Sequence, residues 1–524
     1  MSKWMSISDT LLEMMVLHLP SPKVAQQYRT SYLYEGPEDD EVAASIRDCN
    51  PKGPLILYVS KMVKVTSGNR YRERFVAFGR VFGGTISTGQ KVRIMGPDYL
   101  PGKTDDLFVK KSVQRVYTLT KKYLELLADV PCGNIMCLLG FDQFLLHNGT
   151  LSNNESAHCI KTIKFSVAPV VRVVIEPKNI SELPKLMEGL RKLSKSDPSR
   201  VVCTQEEDGR QIVASSDETH IELCLNDLRK YSNCEINVSD PFVIYKETAS
   251  ATSSQICLSK TPNKHNIFYA TAEPLSDELT ILLEDGKHGP NIDIKEQQNV
   301  LCSNFGWEKT EAQKIWAFGP EKVGPNILVD ATKENPYMNE IKYPMETAFQ
   351  WATHEGAMMG ENLRSVRINI VNVVLQGNPL FRGSGSFIPT ARRVYYAAEL
   401  TAEPRIQEPI FLAEITAPDE TMNRVYRCLE KRRSTVVEEA PVAGTPLIKV
   451  KAYLPVAEAF GLEAKLKTIT AGQAFSRCLF HHWAQVPDDP FQEGTLAATI
   501  VADIRKKKGL KEGIPPLDSF LDKL

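Results

Sequence analysis

The stretch GNPLFRGSGSFIPTARR, residues 377–393, concentrates residue types that can bind phosphate groups. Its arginines, Arg382, Arg392 and Arg393, carry guanidinium groups that form paired hydrogen bonds with phosphate oxygens. Glycines and prolines lie between them and disfavour the interior of a helix or strand, so the composition predicts a long exposed loop. The residues alone leave two interpretations, a contact with a nucleic-acid backbone and a solvated surface loop, and they favour the second.

A second stretch, MGPDYLPGKT at residues 95–104, ends in Gly-Lys-Thr as a phosphate-binding loop does. Five residues separate Gly96 from Gly102 where that motif has four, and Pro97 and Pro101 remove backbone N–H donors that would hold phosphate. The segment is therefore predicted to be a hairpin loop without nucleotide-binding chemistry.

Two further polar clusters contain residue types that serve in metal binding or acid–base chemistry. The adjacent His481 and His482 would point about 100° apart on a helix, so they could not hold one metal from a single face. The cluster DETHIE, residues 217–222, opens a predicted helix, where acidic side chains cap the N-terminus. The sequence pattern therefore assigns no catalytic, cofactor-binding or metal-binding residue, and carboxylates distant in sequence leave no local pattern.

The bulk composition excludes several classes of protein. A chain of 524 residues predicts three to five domains, and a net charge of -1 means that nucleic-acid affinity has to come from local clusters. The eleven cysteines form no CxxC pair, which predicts free thiols. No apolar segment reaches the roughly 20 residues that span a bilayer, so the chain is expected to be soluble, cytoplasmic and without a membrane partner.

Hydrophobic patterns indicate a multidomain α+β organisation. The N-terminal residues predict an amphipathic helix, and residues 53–162 show the short alternating strands and glycine turns of a small β-barrel. Residues 165–239 follow the order β-α-β-β-α-β of a ferredoxin-like unit, with Ser181 as the expected cap of its first helix. The same order recurs at about 405–476, after a longer α/β stretch. Near the C-terminus, RKKKGLKEG at 505–513 predicts a solvated helix end.

Several strings resemble eukaryotic and archaeal elongation factor 2, of the translocase GTPase family, over essentially the whole chain. They are LLEMMVLHLPSP (11–22), FGRVFGGTISTGQKVRIMGP (78–97), LPKLMEGLRKLSKSDP (183–198), SKTPNKHN (259–266), FQWAT (349–353), IPTARR (388–393), GTPLIKVKAYLPV (444–456) and GLKEGIP (509–515).

The resemblance implies five segments. They are a helix with the domain II β-barrel (1–162), ferredoxin-like domain III (163–240), S5-like α/β domain IV with its tip loops (241–403), ferredoxin-like domain V (404–476) and a C-terminal segment that packs back on domain IV (477–524). It also implies a monomer that binds the ribosome and supports translocation of transfer RNA and messenger RNA. The partners would be ribosomal RNA and the A-site and P-site region.

In this resemblance, residues 377–393 match the tip loop of domain IV and SKTPNKHN matches its companion loop. The implied RNA-facing residues are Lys260, Lys264, His265, Phe381, Arg382, Gly383, Gly385, Arg392 and Arg393. Arginine and lysine would position the tip on RNA by charge-assisted hydrogen bonds that read no sequence.

The tip departs from the family at its modified residue. The family carries a histidine that is converted to diphthamide, and this sequence has Phe381 at the matching position, which cannot be converted. The phenyl ring either stacks on a base or packs within its own loop, and the second is preferred because a loop aromatic has no built-in partner. The family's glycine-rich run becomes Gly383, Ser384, Gly385 and Ser386, and its GELHLE turn in domain III becomes SSDETHIE (215–222).

The family's N-terminal GTPase domain has no counterpart in this sequence. No GTPase motif precedes the barrel, so GTP and magnesium are expected only with a GTPase domain in a longer form, and enzyme activity stays open. Two alternatives remain: a paralogue without this domain that regulates the ribosome, and a relative from ribosome maturation or the spliceosome.

Overall fold

The computed structural model describes residues 6–66, 73–96, 99, 107–120, 123–142, 144–145, 148–161, 169–196, 201–205, 209–284, 294–332, 338–377 and 383–523. The chain forms two compact units, Met1–Phe242 and Val243–Leu524. In the part of the chain so described, no helix is long and apolar enough to cross a membrane.

Helices and strands are mixed in both units, which confirms the predicted multidomain α+β class. The helices are α1 Ile7–His18, α2 Pro22–Leu33, α3 Glu41–Arg47, α4 Leu183–Ser196, α5 Glu218–Ser232, α6 Asp277–Glu284, α7 Ile294–Phe305, α8 Lys309–Gln313, α9 Met338–His354, α10 Ser384–Leu400, α11 Asp419–Glu430, α12 Val456–Ala459, α13 Leu462–Ile469 and α14 Leu496–Lys507. The strands up to the end of the first unit are β1 Ile56–Thr66, β2 Glu73–Gly83, β3 Thr85–Ser87, β4 Lys91–Met95, β5 Leu107–Ser112, β6 Arg115–Thr120, β7 Tyr123–Leu127, β8 Asp129–Pro131, β9 Ile135–Leu139, β10 Gly149–Ser152, β11 Val171–Pro177, β12 Val202–Gln205, β13 Gln211–Ser215 and β14 Ile236–Val238. The remaining strands are β15 Phe242–Val243, β16 Lys246–Ala249, β17 Cys257–Lys260, β18 Ile267–Pro274, β19 Ile315–Gly319, β20 Asn326–Asp330, β21 Val366–Val374, β22 Pro404–Pro418, β23 Thr435–Pro441, β24 Leu447–Pro455 and β25 Phe475–Gln485.

The barrel expected from residue 53 onward is an eight-stranded antiparallel sheet in the order β5-β4-β10-β1-β2-β9-β6-β7, with β3 and β8 paired beside it. Side chains from most of these strands converge on one core, as alternating strands of a barrel require. Gly84 and Gly89 have positive φ, so the predicted glycine turns occupy a backbone region that favours glycine. The N-terminal helix is also confirmed as α1, although the structure buries none of its side chains.

The first ferredoxin-like unit is confirmed by its strand order, β12-β13-β11-β14. Its helix α4 buries Leu186, Leu190 and Leu193 at the three- and four-residue spacing of an amphipathic helix. The expected cap is wrong in detail, because Ser181 lies inside a short 3-10 turn, Ile180–Glu182, that precedes α4.

The second ferredoxin-like unit has the corresponding order, in which β22 pairs with β24 and β25, and β24 pairs with β23. Its last strand runs from Phe475 to Gln485, so the predicted boundary at residue 476 cuts through that strand. Between the two ferredoxin-like units, β17-β18-β21-β20-β19 form a five-stranded sheet in which only the β20–β21 pair is parallel.

The C-terminal segment lies against this five-stranded sheet and its helices. Leu517, Phe520 and Leu521 pack on the core that α9 and α10 build over the sheet. The Ser259 hydroxyl donates a hydrogen bond of 2.7 Å to the Phe520 carbonyl, which attaches the segment to β17.

Candidate functional site

The two segments predicted to form a tip lie at the same end of the five-stranded sheet. Ile267, the first residue of β18, pairs with Val374, the last residue of β21. The turn 261–266 precedes β18 and the segment from residue 375 onward follows β21, so both leave the sheet at this end. The Gln376 N–H donates to Asn266 Oδ1 at 3.0 Å and joins them directly.

The turn 261–266 is held by its own polar side chains. Thr261 Oγ1 donates to Asn263 Oδ1 at 2.6 Å and accepts from the Asn266 N–H at 3.1 Å. Lys264 adopts a positive φ of 57°, and its side chain and that of His265 are exposed. The turn therefore has a fixed backbone and presents two side chains that can carry positive charge.

The second segment is helical where the composition predicted a loop. Helix α10 begins at Ser384 and continues to Leu400, so Gly385, Arg392 and Arg393 lie in a helix and the loop prediction is wrong from residue 384 onward. Pro389 is the sixth residue of the helix, beyond the first turn, so the Gly385 carbonyl receives no backbone N–H from it. Thr390 Oγ1 donates to the Ser386 carbonyl at 2.7 Å.

The apolar face of α10 explains why the helix forms. Phe387, Ala391, Val394 and Ala398 are buried at spacings of three and four residues. This periodicity was present in the sequence, but the glycine and proline content of its first half obscured it.

The N-terminus of α10 lies at the same sheet end as the turn. Phe387, in its first turns, packs edge to face on Phe268 at the start of β18, with ring centroids 5.2 Å apart. Gly383 and Gly385 are exposed and have open space where a Cβ would lie. Among the described residues no side chain caps this end of the 17-residue helix, and the Ser386 and Phe387 N–H groups bond the Gly383 carbonyl. The N–H groups of Ser384 and Gly385 and the helix dipole favour an anion.

Arg392 makes several contacts within the protein, and its predicted RNA contact stays a prediction. Its Nη2 lies 2.6 Å from Glu355 Oε2 and its Nε donates to the Tyr396 hydroxyl at 2.7 Å. Its guanidinium also lies over the Trp351 ring at 5.2 Å. The structure thus gives Arg392 an intramolecular role in attaching α10 to α9.

Arg393 and Lys260 meet the C-terminal segment at Asp522. Arg393 Nη2 lies 3.1 Å from Asp522 Oδ1, and the Lys260 N–H donates to Asp522 Oδ2 at 2.7 Å. Partial burial acts to raise the pKa of Asp522, but these two hydrogen bonds and the charges of Arg393 and Lys260 together lower it. Asp522 therefore stays ionised and links β17 to α10 behind the tip.

Phe381 and Arg382 lie outside the described residues, so their predicted roles stay predictions. Among the predicted site residues that the structure does describe, Lys264 and His265 project from the turn, and Gly383 and Gly385 open the helix N-terminus. Together these four form what we call the tip site. Its exposed donors and cations suit phosphate oxygens, and it has no arrangement for covalent chemistry.

The two histidines considered for metal binding lie in β25, not in a helix. The register of β25 against β22 shifts between Ile410 and Phe411, and this bulge turns both rings to one side. Nδ1 of His481 and Nδ1 of His482 are 2.8 Å apart, and both rings contact Tyr453. The expectation that they diverge is therefore wrong. The described part of the chain nevertheless holds no group of three potential metal ligands.

The cluster at 217–222 caps α5 as predicted, because Asp217 Oδ1 accepts from the His220 N–H at 2.7 Å. The Gly-Lys-Thr at 102–104 lies outside the described residues, so its assignment as a hairpin loop stays a prediction.

The prediction that the basic run at 505–513 is a solvated helix end is wrong for two of its residues. Arg505 is buried and its Nη1 donates to the Met358 carbonyl at 2.5 Å, and Lys508 pairs with Glu361 at 2.9 Å.

A buried carboxyl pair, Glu247 and Glu399, is the feature that the sequence could not show. Both residues are fully buried, and the two carboxyl groups lie close enough for Glu247 to raise the pKa of Glu399. Glu247 accepts from the backbone N–H groups of Met358, Met359 and Glu361 at 2.8, 2.9 and 3.0 Å. Gly356 permits this approach, because a Cβ there would overlap the Glu247 carboxylate.

Burial and proximity favour a proton on this pair. Glu399 Oε1 is buried and has no hydrogen-bond partner in the described structure, so a charge on it would be uncompensated beside a second buried carboxyl. Burial raises the pKa of Glu399 well above its usual range, and the charge of Glu247 raises it further. Burial also raises the pKa of Glu247, against the lowering effect of its hydrogen bonds.

Comparison with known protein families gives four matches in succession along the chain. Residues 74–150 match the model for elongation factor Tu domain 2, and residues 167–240 match elongation factor G domain III. Residues 291–403 match elongation factor G domain IV, and residues 405–494 match the elongation factor G C-terminus. The tip site lies at one end of the five-stranded sheet β17-β18-β21-β20-β19. Strands β19, β20 and β21 of this sheet fall within residues 291–403, the match to elongation factor G domain IV.

Proposed function

We propose that the chain is a translation elongation factor that binds the ribosome and supports translocation. It carries domains II, III, IV and the C-terminal domain of the elongation factor G and elongation factor Tu type, and these support membership of the translocase family. The observation that carries the proposal is the succession of these four domains in one chain. The tip site would then face RNA.

The geometry of the tip site supports this role. Lys264 and His265 are exposed on a turn whose backbone is fixed by Thr261 and Asn263. At the same sheet end, Gly383 and Gly385 are exposed at the N-terminus of α10, where the helix dipole would favour a phosphate group. Such contacts position a protein on an RNA backbone without reading its sequence.

Within the family, we place the chain in the elongation factor 2 branch. This finer assignment is supported by strings such as SKTPNKHN at the turn, IPTARR in α10 and GTPLIKVKAYLPV at β24. Phe381 at the diphthamide position then marks a divergent member whose tip acts without that modification. Any GTP hydrolysis that accompanies translocation would be supplied by a GTPase domain outside these 524 residues.

The experiment is co-sedimentation of the purified chain with ribosomes over a series of salt concentrations. We expect Lys264→Ala to weaken binding and to reduce the slope of log affinity against log salt by about 1, as loss of one phosphate contact does.

Lys322→Ala is the matched control. Lys322 is also an exposed lysine with positive φ, at 64°, on a hairpin of the same sheet. Its hairpin joins β19 to β20 at the opposite sheet end. Absence of ribosome binding by the unaltered chain would contradict the proposed function. Equal losses from the two substitutions would contradict the assignment of the tip site.

A further inference from the structure

The second ferredoxin-like unit carries an open pocket of about 730 Å³ between α11 and the segment formed by α12 and α13. Five cationic side chains line it: Arg424, Arg427, Lys431, Arg432 and Lys465. Helix α11 supplies two of them, since Arg424 and Arg427 lie three residues apart on one face. The volume falls within the range of pockets that hold small organic ligands.

The positive charge of the pocket is not balanced by its own lining. Glu458 is the one acidic residue among the lining residues, and it lies 3.6 Å from Arg433, which is not one of them. Arg427, Lys431 and Lys465 are exposed and make no salt bridge within the described chain. The pocket therefore concentrates cations whose counter-charge has to come from a ligand or from solvent ions.

Two of the guanidinium groups are held in place before any ligand arrives. Arg424 Nη1 donates to the Ile469 carbonyl at 3.0 Å. Arg432 Nη1 donates to the Phe460 carbonyl at 2.9 Å and also to the Glu458 carbonyl. Each arginine keeps further N–H donors for a ligand, and its fixed position reduces the entropy lost on binding.

The remaining lining is apolar. Ala457, Phe460 and Ile469 contribute it, and Phe460 is only partly buried. A phenyl ring beside arginines provides a stacking surface for a planar base, whereas the cations provide hydrogen bonds to phosphate.

From this combination we propose that the pocket of the second ferredoxin-like unit binds a nucleotide, with its phosphates among the five cations and its base against Phe460. The site is separate from the tip site and does not depend on the proposed function. A free nucleotide and a nucleotide of single-stranded RNA share this chemistry.

The test is calorimetric titration of the full chain with three probes in about 0.1 M salt without magnesium: ATP, inorganic tripolyphosphate and adenosine. We expect ATP to bind about tenfold more tightly than tripolyphosphate because of base stacking, and adenosine to bind far more weakly than ATP. Equal affinities for ATP and tripolyphosphate would overturn the nucleotide assignment.

Arg427→Gln should weaken ATP binding at least about fivefold, because it removes one charge-assisted contact. Arg477→Gln is the matched control, since Arg477 is an exposed arginine of the same unit that does not line the pocket. Far-ultraviolet circular dichroism checks that both variants fold. No ATP binding by the unaltered chain, or equal effects of the two substitutions, would overturn the proposal.

A short oligoadenylate added to the ATP complex distinguishes the two sources of the nucleotide. If the oligoadenylate displaces bound ATP at a lower concentration than added free ATP does, this would support an RNA strand as the ligand. Failure to displace ATP would support a free nucleotide.

Discussion

The two ends of helix α10 use polar and charged groups in opposite ways. The tip site, at the sheet end where the helix begins, has exposed Lys264 and His265 and the exposed Gly383 and Gly385. Near its C-terminus, the fully buried Glu399 lies close to the fully buried Glu247. Arg505 donates a hydrogen bond to the Met358 carbonyl in the loop that binds Glu247. We call this second region the base cluster.

The difference separates groups that are available to a partner from groups that the fold requires. In the base cluster, backbone N–H donors and a shared proton compensate the cost of burying carboxyl groups. At the tip site, solvent screens the charges and the fold gains little from them. Substitutions should therefore alter mainly stability in the base cluster and mainly binding at the tip.

The largest effect is expected from Glu247→Ala. The substitution leaves three buried backbone N–H groups of the loop without their acceptor and opens a cavity beside Glu399. Buried groups left unpaired in this way cost about 3–5 kcal/mol in the free energy of unfolding. Urea unfolding followed by fluorescence measures this loss.

Glu430→Ala is the control, because Glu430 is an exposed glutamate at the end of α11. It should change the free energy of unfolding by less than about 0.5 kcal/mol. If Glu247→Ala were as mild as this control, the base cluster would not be a structural requirement.

A smaller effect should appear in the pH dependence of stability. The folded-state pKa of Glu399 is raised, so the folded chain holds a proton that the unfolded chain releases once the pH exceeds the usual glutamate value of about 4.5. Stability from this group is fully present below that pH and is lost as the pH rises toward the folded pKa. The loss has a limiting slope of about 1.4 kcal/mol per pH unit.

Glu399→Gln isolates this contribution, because an amide keeps the shape and does not titrate. The charged and titratable groups around the pair, Arg505 near Glu247 and Tyr396 near Glu399, remain in both proteins. Thermal unfolding between pH 5 and pH 8 should show a steeper decline for the unaltered chain than for the variant. Parallel profiles would show that the pair holds no extra proton.

The sequence allowed the repeated units to be predicted because their signals are local. In α4, the spacing of Leu186, Leu190 and Leu193 identifies a buried face without knowledge of its partner. Turn residues such as Gly84 and Gly89 separate the barrel strands for equally local reasons.

Other features depend on contacts that a sequence pattern does not contain. Glu247 and Glu399 come from a strand and a helix far apart in the chain, and only tertiary packing places them together. The ion pairs of Arg392 with Glu355 and of Arg393 with Asp522 join segments far apart in the chain, so the sequence pattern did not contain them. In α10 the local signal itself was misleading, because burial of Phe387 and Ala391 outweighs the glycine and proline preferences.

Gly385→Asp provides the smallest change in stability and the sharpest test of the contrast between the two regions. Gly385 lies in the first turn of α10, where open space surrounds the position of a Cβ. An aspartate there should stabilise the helix by about 0.3–1 kcal/mol, because its charge complements the dipole and a glycine is removed from the helix.

The same substitution should weaken ribosome binding, because its carboxylate competes with phosphate for the open N–H groups and repels the RNA backbone. Gly385→Ala shares the gain in helix propensity without the charge, so it should retain more binding than Gly385→Asp. Opposite signs for stability and binding are expected only where a group is exposed for a partner. If Gly385→Asp bound ribosomes as well as Gly385→Ala, the helix N-terminus would not contact phosphate, and the tip site would reduce to Lys264 and His265.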